Sequence, residues 1–344
     1  MSALPDRVHL VGTIGLDNVP ETFRTVGEML GSRLRRVPDG EPGGRRLWIS
    51  WQYPLLRANP YLQADRDSRP TFIGPNVRLG EGVKPEEVRF GELGYAREAR
   101  ASYLDFLAAK RAGSLPQGVR FQVSLPTPLA VIQAFTRPDD VKAIEPAYEA
   151  AMLREVQVIC DSIPHQDLTI QWDVCGEMVA WDGRMKNGVV TLFEDFRGAI
   201  IDRLVRLSEP IPADVELGFH LCYGDLDAKH FIDPLDMGKM VELANTLSER
   251  IGRPIAYFHM PVPIDRSDDA YFAPLEQLKL KPGTELYLGC VHAADGAEGT
   301  KKRIAAAQRH YPAFGIATEC GMGRNKTADV VKNLLAIHAA ATEA

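Results

Sequence analysis

His220 and Cys222 stand two residues apart in the run Phe219-His220-Leu221-Cys222. If that run is a strand, both side chains leave the same face. Imidazole and thiolate are both favoured zinc ligands. Cys320 and His259 end two other apolar runs. Together the four could hold a tetrahedral zinc ion drawn from three separate strands, which is not a zinc-finger spacing. Zinc in such a site acts as a Lewis acid: it stabilises a bound thiolate at neutral pH and presents it to an electrophilic carbon. The other reading of the same residues makes Cys222 and Cys320 small buried apolar groups and the histidines satisfied core residues. Cys160, Cys175 and Cys290 are placed in that second class; Cys175, two residues after Asp173, could also stand near the site, but nothing pairs it with the other ligands. His9, His165, His230, His310 and His338 fall at strand starts, loops or helix faces and are read as non-catalytic.

The elements that must position this chemistry alternate along the chain. Short β-branched runs at Val8–Gly12, Leu34–Val37, Arg120–Leu125, Thr169–Asp173, Glu216–Leu221, Ile255–His259, Leu286–Val291 and Phe314–Thr318 read as eight strands. Amphipathic stretches separate them. In Pro146–Ile163, Tyr148, Met152, Val156, Ile159 and Ile163 recur at helical steps, with Pro146 at the first position. Asp139–Ile144 then reads as a separate turn, because a proline should break one continuous helix. Alternating strands and helices imply a parallel sheet, and eight units predict one (β/α)8 TIM barrel over residues 1–344. Residues 59–118 are an excursion between the second and third strands, ending in a helix near Tyr95–Arg111. An excursion of that length suits a lid or a specificity element.

Active sites of this fold lie at the C-terminal ends of the strands. All eight predicted strands end in polar or titratable residues. They bring up Thr13; Asp39, Glu41, Arg45 and Arg46; Thr127; Asp173 and Glu177; His220, Cys222 and Asp225; His259; His292 and Asp295; and Glu319, Cys320 and Arg324. Composition excludes other classes. Charged residues are 25% and hydrophobic residues 45%, ordinary for a globular chain. The net charge of −6 offers no footprint for a nucleic-acid backbone. No apolar run reaches the roughly 20 residues of a membrane span, and the start lacks the pattern of a signal peptide. Five scattered cysteines do not suggest a disulfide framework, so a reducing cytoplasm is expected. The expected partner is a small molecule, with a homo-oligomer open.

The ordered motifs resemble the catalytic barrel of cobalamin-independent methionine synthase, within the wider uroporphyrinogen decarboxylase and methionine synthase-like superfamily. HLCYGD at 220–225 is similar to the segment that supplies a zinc histidine and cysteine, and ECGMGR at 319–324 to the segment that supplies the second zinc cysteine. VGT at 11–13, PDGE at 38–41, LPTP at 125–128, IQWD at 170–173 and LGCVH at 288–292 resemble its substrate-binding and catalytic segments in the same order. The resemblance implies Zn2+ held by His220, Cys222 and Cys320, with a thiol or folate co-substrate. Thr13, Glu41, Arg45, Arg46, Thr127 and Arg324 would bind substrate. His292 would carry the proton, with Asp173 or Glu177 as a second acid–base group. One departure stands out: the family's glutamate ligand aligns with His259. His259 is therefore expected as the fourth ligand, with the neighbouring Glu319 as competitor. Exchanging a carboxylate for an imidazole lowers the ligand charge from −3 to −2, making the ion a better Lewis acid for oxygen. Three functions follow: a zinc-dependent methyl or alkyl transferase, a zinc-dependent lyase acting on a hydroxylated or alkoxylated molecule, and a metal-free decarboxylase-like enzyme or binding barrel.

Overall fold

The structure is a computed structural model that describes residues 4–67, 70–185, 188–225 and 229–343. Seven parallel strands form one curled sheet: β1 (Arg36–Pro38), β4 (Arg120–Pro126), β5 (Leu168–Val174), β6 (Glu216–Leu221), β7 (Tyr257–Pro261), β8 (Glu285–Val291) and β9 (Gly315–Thr318). They neighbour one another in that order, with helices between them in the chain. The strands are buried almost throughout, as parallel strands covered on both faces must be. No helix among the described residues is long and apolar enough to cross a membrane.

The predicted first strand does not form a ladder, so the sheet has seven strands and not eight. Val8 makes isolated bridges to Leu34 on one side and Ile316 on the other. Beyond it, side chains take the carbonyls a ladder would use. Gln122 Nε2 donates to Leu10 O at 3.0 Å, and Ser124 Oγ and Gln171 Nε2 donate to Val11 O at 2.9 and 2.7 Å. Thr13 returns to the sheet only through a bridge to Gly40.

The predicted break at Pro146 is also absent: one helix runs Val141–Ser162 with the proline inside it. The missing N–H falls in the second turn, and two bidentate ion pairs pin the helix on either side of the proline. Glu145 binds Arg203 at 2.6 and 2.8 Å, and Glu149 binds Arg206 at 2.5 and 2.9 Å. The excursion at 59–118 holds an antiparallel hairpin that periodicity did not predict, β2 (Leu62–Asp65) with β3 (Asn76–Leu79). Its two strands have four residues each, too short to show a pattern. Residues 68 and 69 lie outside the described residues. The predicted helix follows at Tyr95–Arg111. Its N-cap, Gly94, has no side chain, and Glu155 from the Val141–Ser162 helix accepts from Leu93 N and Ala96 N at 2.7 and 2.6 Å instead.

The register sets the site. Asp173 on β5 pairs with His220 on β6, and His220 with His259 on β7, so three titratable side chains stand at one level. Alternate residues, Trp172, Phe219 and Phe258, belong to the apolar core. At the other end of the sheet, buried Arg36 closes the interior through Glu216 at 2.5 Å and Glu285 at 2.7 Å, with Tyr257 beneath its guanidinium. Tyr257 fits only because residue 218 is glycine: a Cβ there would meet its ring at 2.1 Å.

Candidate metal centre

One ligand atom from each of His220, Cys222 and Cys320 lies within 4.8 Å of the others. His220 and Cys222 are positioned by the two-residue period of β6. Cys222 N donates to Val174 O at 2.9 Å, which carries the sheet pairing one residue past the strand, and Gly224 N donates to Cys222 Sγ at 3.3 Å. Cys320 follows β9 in a turn that Thr13 anchors. Thr13 O accepts from Met322 N at 2.6 Å and Thr13 Oγ1 from Gly323 N at 3.2 Å. A Cβ at Gly321 would strike Thr13 Oγ1 at 2.1 Å, so the close approach requires glycine. The two sulfurs are 3.9 Å apart.

The donor groups are held uncharged. The Cys222 thiol is pushed well up, first by its contact with the Cys175 thiol, and the Cys320 thiol first by Cys222 and then by burial. A dication would reverse this, since a coordinating thiol is deprotonated outright. Burial holds His220 and His259 neutral, His259 down to about 3. His220 Nδ1 contacts His259 Nδ1 at 2.7 Å, and Nε2 of each ring is buried without a partner. His259 lies outside the group of three.

A second cluster sits beside the end of β1. Asp173 Oδ1 accepts from Gln171 Nε2 at 2.8 Å and Oδ2 from Trp48 Nε1 at 3.2 Å. Burial pushes Asp173 up to about 7 against those two bonds. Glu41 is raised well above its usual range by burial, then by Asp173 and Asp39, while Arg45 and Arg324 pull the other way. Glu41 Oε1 lies where a Cβ on Gly12 would approach to 3.2 Å. Among the described residues only Glu41, Trp48 and Asn325 are non-glycine residues with positive φ, at 48°, 56° and 53°. Two of the three belong to this cluster and the third follows Arg324. Backbone strain of this kind, of order 1–3 kcal/mol per residue, concentrates at functional sites.

No protein-family model matches the chain, and no curated protein matches it. Solved structures do. A protein of Listeria monocytogenes described as a vitamin-B12-independent methionine synthase superposes with TM-score 0.58 at 14% identity, over 98% of both chains. A B12-independent methionine synthase from Shewanella sp., solved with selenomethionine, gives 0.58 at 15% identity, over 98% of this chain and 97% of that one. A methyltransferase from Methanosarcina mazei gives 0.52 at 10%, over 98% and 94%. The chain has the fold of the B12-independent methionine synthases.

Within this methionine synthase fold the remaining predicted residues have definite partners. Arg45 Nη1 is paired with Asp39 at 2.8 Å, Arg46 Nη2 donates to Leu16 O at 2.6 Å and Arg324 Nη1 to Asp225 O at 2.6 Å. Thr127 Oγ1 donates to buried Glu177 Oε1 at 2.5 Å and caps the helix Pro128–Phe135. Glu177 is pushed up to about 7 by burial, and its Oε2 has no partner. His292 Nε2 donates to Val262 O at 2.8 Å, leaving Nδ1, 3.6 Å from Glu319 Oε2. Burial first, then Arg303, lowers His292 to about 4. Glu319, predicted as competitor for the fourth ligand position, sits between His292 and His230 at 3.6 Å from each.

Sequence reasoning missed three neighbours and left a fourth, Cys175, without a partner in the site. Gln171 joins Asp173 to Tyr257 and His9: its Oε1 accepts from Tyr257 at 2.8 Å and from His9 Nε2 at 3.0 Å. Its place two residues before Asp173 was the signal. His9 is buried inside the curled sheet, 5.6 Å between ring centres from His259. Cys175 abuts Cys222, so it belongs near the site and not to the remote core. Trp48 carries no signal, because its contact depends on a strained turn.

Proposed function

We propose that the chain is a zinc-dependent methyl or alkyl transferase that activates a thiol substrate. The observation that carries this reading is the convergence of His220, Cys222 and Cys320 on one buried point, with an imidazole nitrogen left bare. A nitrogen with two sulfurs is a zinc donor set, and three protein ligands leave a position for substrate. The fold's likeness to the methionine synthases and the methyltransferase above supports it.

Zinc bound there would hold a substrate thiol as its thiolate. The chain's own residues do the rest. Half-buried Glu41 and buried Asp173 receive a cationic end of the substrate: both carboxyls are held up towards neutrality, and a cation relieves both. Arg45 and Arg46, in the same turn, and Thr13, Thr127 and Arg324 complete the proposed substrate-binding set. His292 is neutral at pH 7, its proton turned towards Val262 and its Nδ1 free to accept. It takes the proton the thiol gives up. As the S–C bond forms and the donor's bond to its leaving group breaks, His292 returns that proton to the leaving group. Glu177, bonded to Thr127, is the second buried acid held near pH 7 and remains available for proton exchange.

One observation favours a second reading, a zinc-dependent lyase: among the described residues no carboxylate belongs to the cluster. Two thiolates and an imidazole make a neutral site with a dication, which suits a hydroxyl or alkoxyl oxygen. The cobalt-substituted protein separates the two. Adding homocysteine or 2-mercaptoethanol should raise the sulfur-to-cobalt charge-transfer absorption in the near ultraviolet as a third sulfur binds. No change at millimolar thiol would end the transferase reading and leave the lyase. His292→Ala should keep its zinc and lose about 100-fold or more in transfer rate, the usual share of a general acid–base group. Metal loss in that variant would make His292 a ligand.

A further inference from the structure

We propose that His259 is a positioning residue and not a metal ligand: it fixes the tautomer of His220 so that Nε2 faces the ion and the fourth coordination position stays open. The inference rests on reading His220, Cys222 and Cys320 as a metal site.

The distance between the two rings decides first. His220 Nδ1 and His259 Nδ1 are 2.7 Å apart. Two imidazoles on one tetrahedral zinc, each with a bond of about 2.0–2.1 Å, keep their nitrogens about 3.3 Å apart. A separation of 2.7 Å is instead a hydrogen bond, which needs a proton on one nitrogen and a lone pair on the other. The β6–β7 register produces this contact by setting the two residues directly opposite, with ring centres 4.8 Å apart.

The direction of that bond follows from the surroundings. His220 Nδ1 faces His259, so Nε2 is the nitrogen His220 has left for an ion, and an imidazole that ligates through Nε2 carries its proton on Nδ1. His259 Nδ1 is then the acceptor, and His220 Nδ1–H donates to it. This leaves a bare lone pair on His220 Nε2, an atom that is buried and has no partner. The opposite direction would place the proton on His220 Nε2 and close that nitrogen to an ion. Metal-bound histidines commonly donate their second N–H to such a partner, and removing it weakens metal binding about 10–100-fold.

The test uses the full chain loaded with zinc alone. X-ray absorption should find two sulfurs, one imidazole and one further light atom that is not imidazole. His259→Ala should bind one zinc with the same imidazole count and an affinity lower by about 10–100-fold. His259→Gln, which restores an acceptor oxygen, should recover most of that loss, while His220→Ala loses stoichiometric zinc. Two imidazoles in the wild-type shell, or one fewer in His259→Ala than in wild type, would overturn the inference and leave the metal site standing. A wild-type chain that takes up no zinc removes both. Should His259→Ala fail to fold, the wild-type imidazole count and the glutamine variant decide.

Discussion

Cys222→Ser and Cys320→Ser should each reduce bound zinc from one equivalent per chain to a small fraction of one, while the protein stays folded. The two sulfurs are 3.9 Å apart at the ends of different strands, so losing either breaks the only site that the described residues assemble. Serine replaces a soft thiolate by a hydroxyl that stays protonated at neutral pH, a poor zinc donor. A loss of affinity beyond about 100-fold is expected, since even outer partners of metal ligands are worth 10–100-fold. The fold should survive, because neither thiol belongs to the apolar layer formed by Phe219, Phe258, Leu288 and Ile316. Zinc measured by elemental analysis after dialysis, with circular dichroism as the control for folding, checks this. Full zinc in Cys320→Ser would remove Cys320 from the site.

Asp173→Asn should make the protein more stable at pH 8 and less stable at pH 4. The Asp173 carboxyl is held up at about 7 in the folded chain, against roughly 3.9 when unfolded. Between those values the folded state binds the proton and the unfolded state does not. Folding stability therefore falls as pH rises from about 4 to about 7, and above that the cost is complete. Three pKa units set a ceiling of about 4 kcal/mol. Asparagine carries no titrating group and escapes this loss. It also forfeits something: Gln171 and Trp48 both donate to Asp173, and an amide can accept at only one of the two positions. That costs about 1–3 kcal/mol at every pH. The crossing of the two stability profiles, followed by urea denaturation at pH 4 and pH 8, is the signature. A variant destabilised equally at both would mean that Asp173 is not held in its neutral form.

Much of this was legible in the sequence for physical reasons. The two-residue period placed His220 and Cys222 on one face, and chain order placed Cys320 at the end of the last strand. Alternating patterns found seven strands that form. They failed at Val8–Gly12, where Gln122, Ser124 and Gln171 draw off the carbonyls that a ladder would use. A pattern of side-chain types carries no record of where backbone groups bond. Pro146 misled in the same way, since the ion pairs of Glu145 and Glu149 come from a distant helix. His259 was placed at the right level, but whether a ring coordinates or hydrogen-bonds turns on a few tenths of an ångström. Trp48 and the strain at Glu41 arise from the turn after β1, which no periodicity describes.

The central claim is that this chain holds one zinc ion through His220, Cys222 and Cys320. Elemental analysis of the full-length wild-type protein, produced in zinc-replete medium and dialysed without chelator, tests it most directly. The account predicts one zinc per chain. Protein that is folded and free of zinc, and that takes up none when zinc is added back, would contradict it.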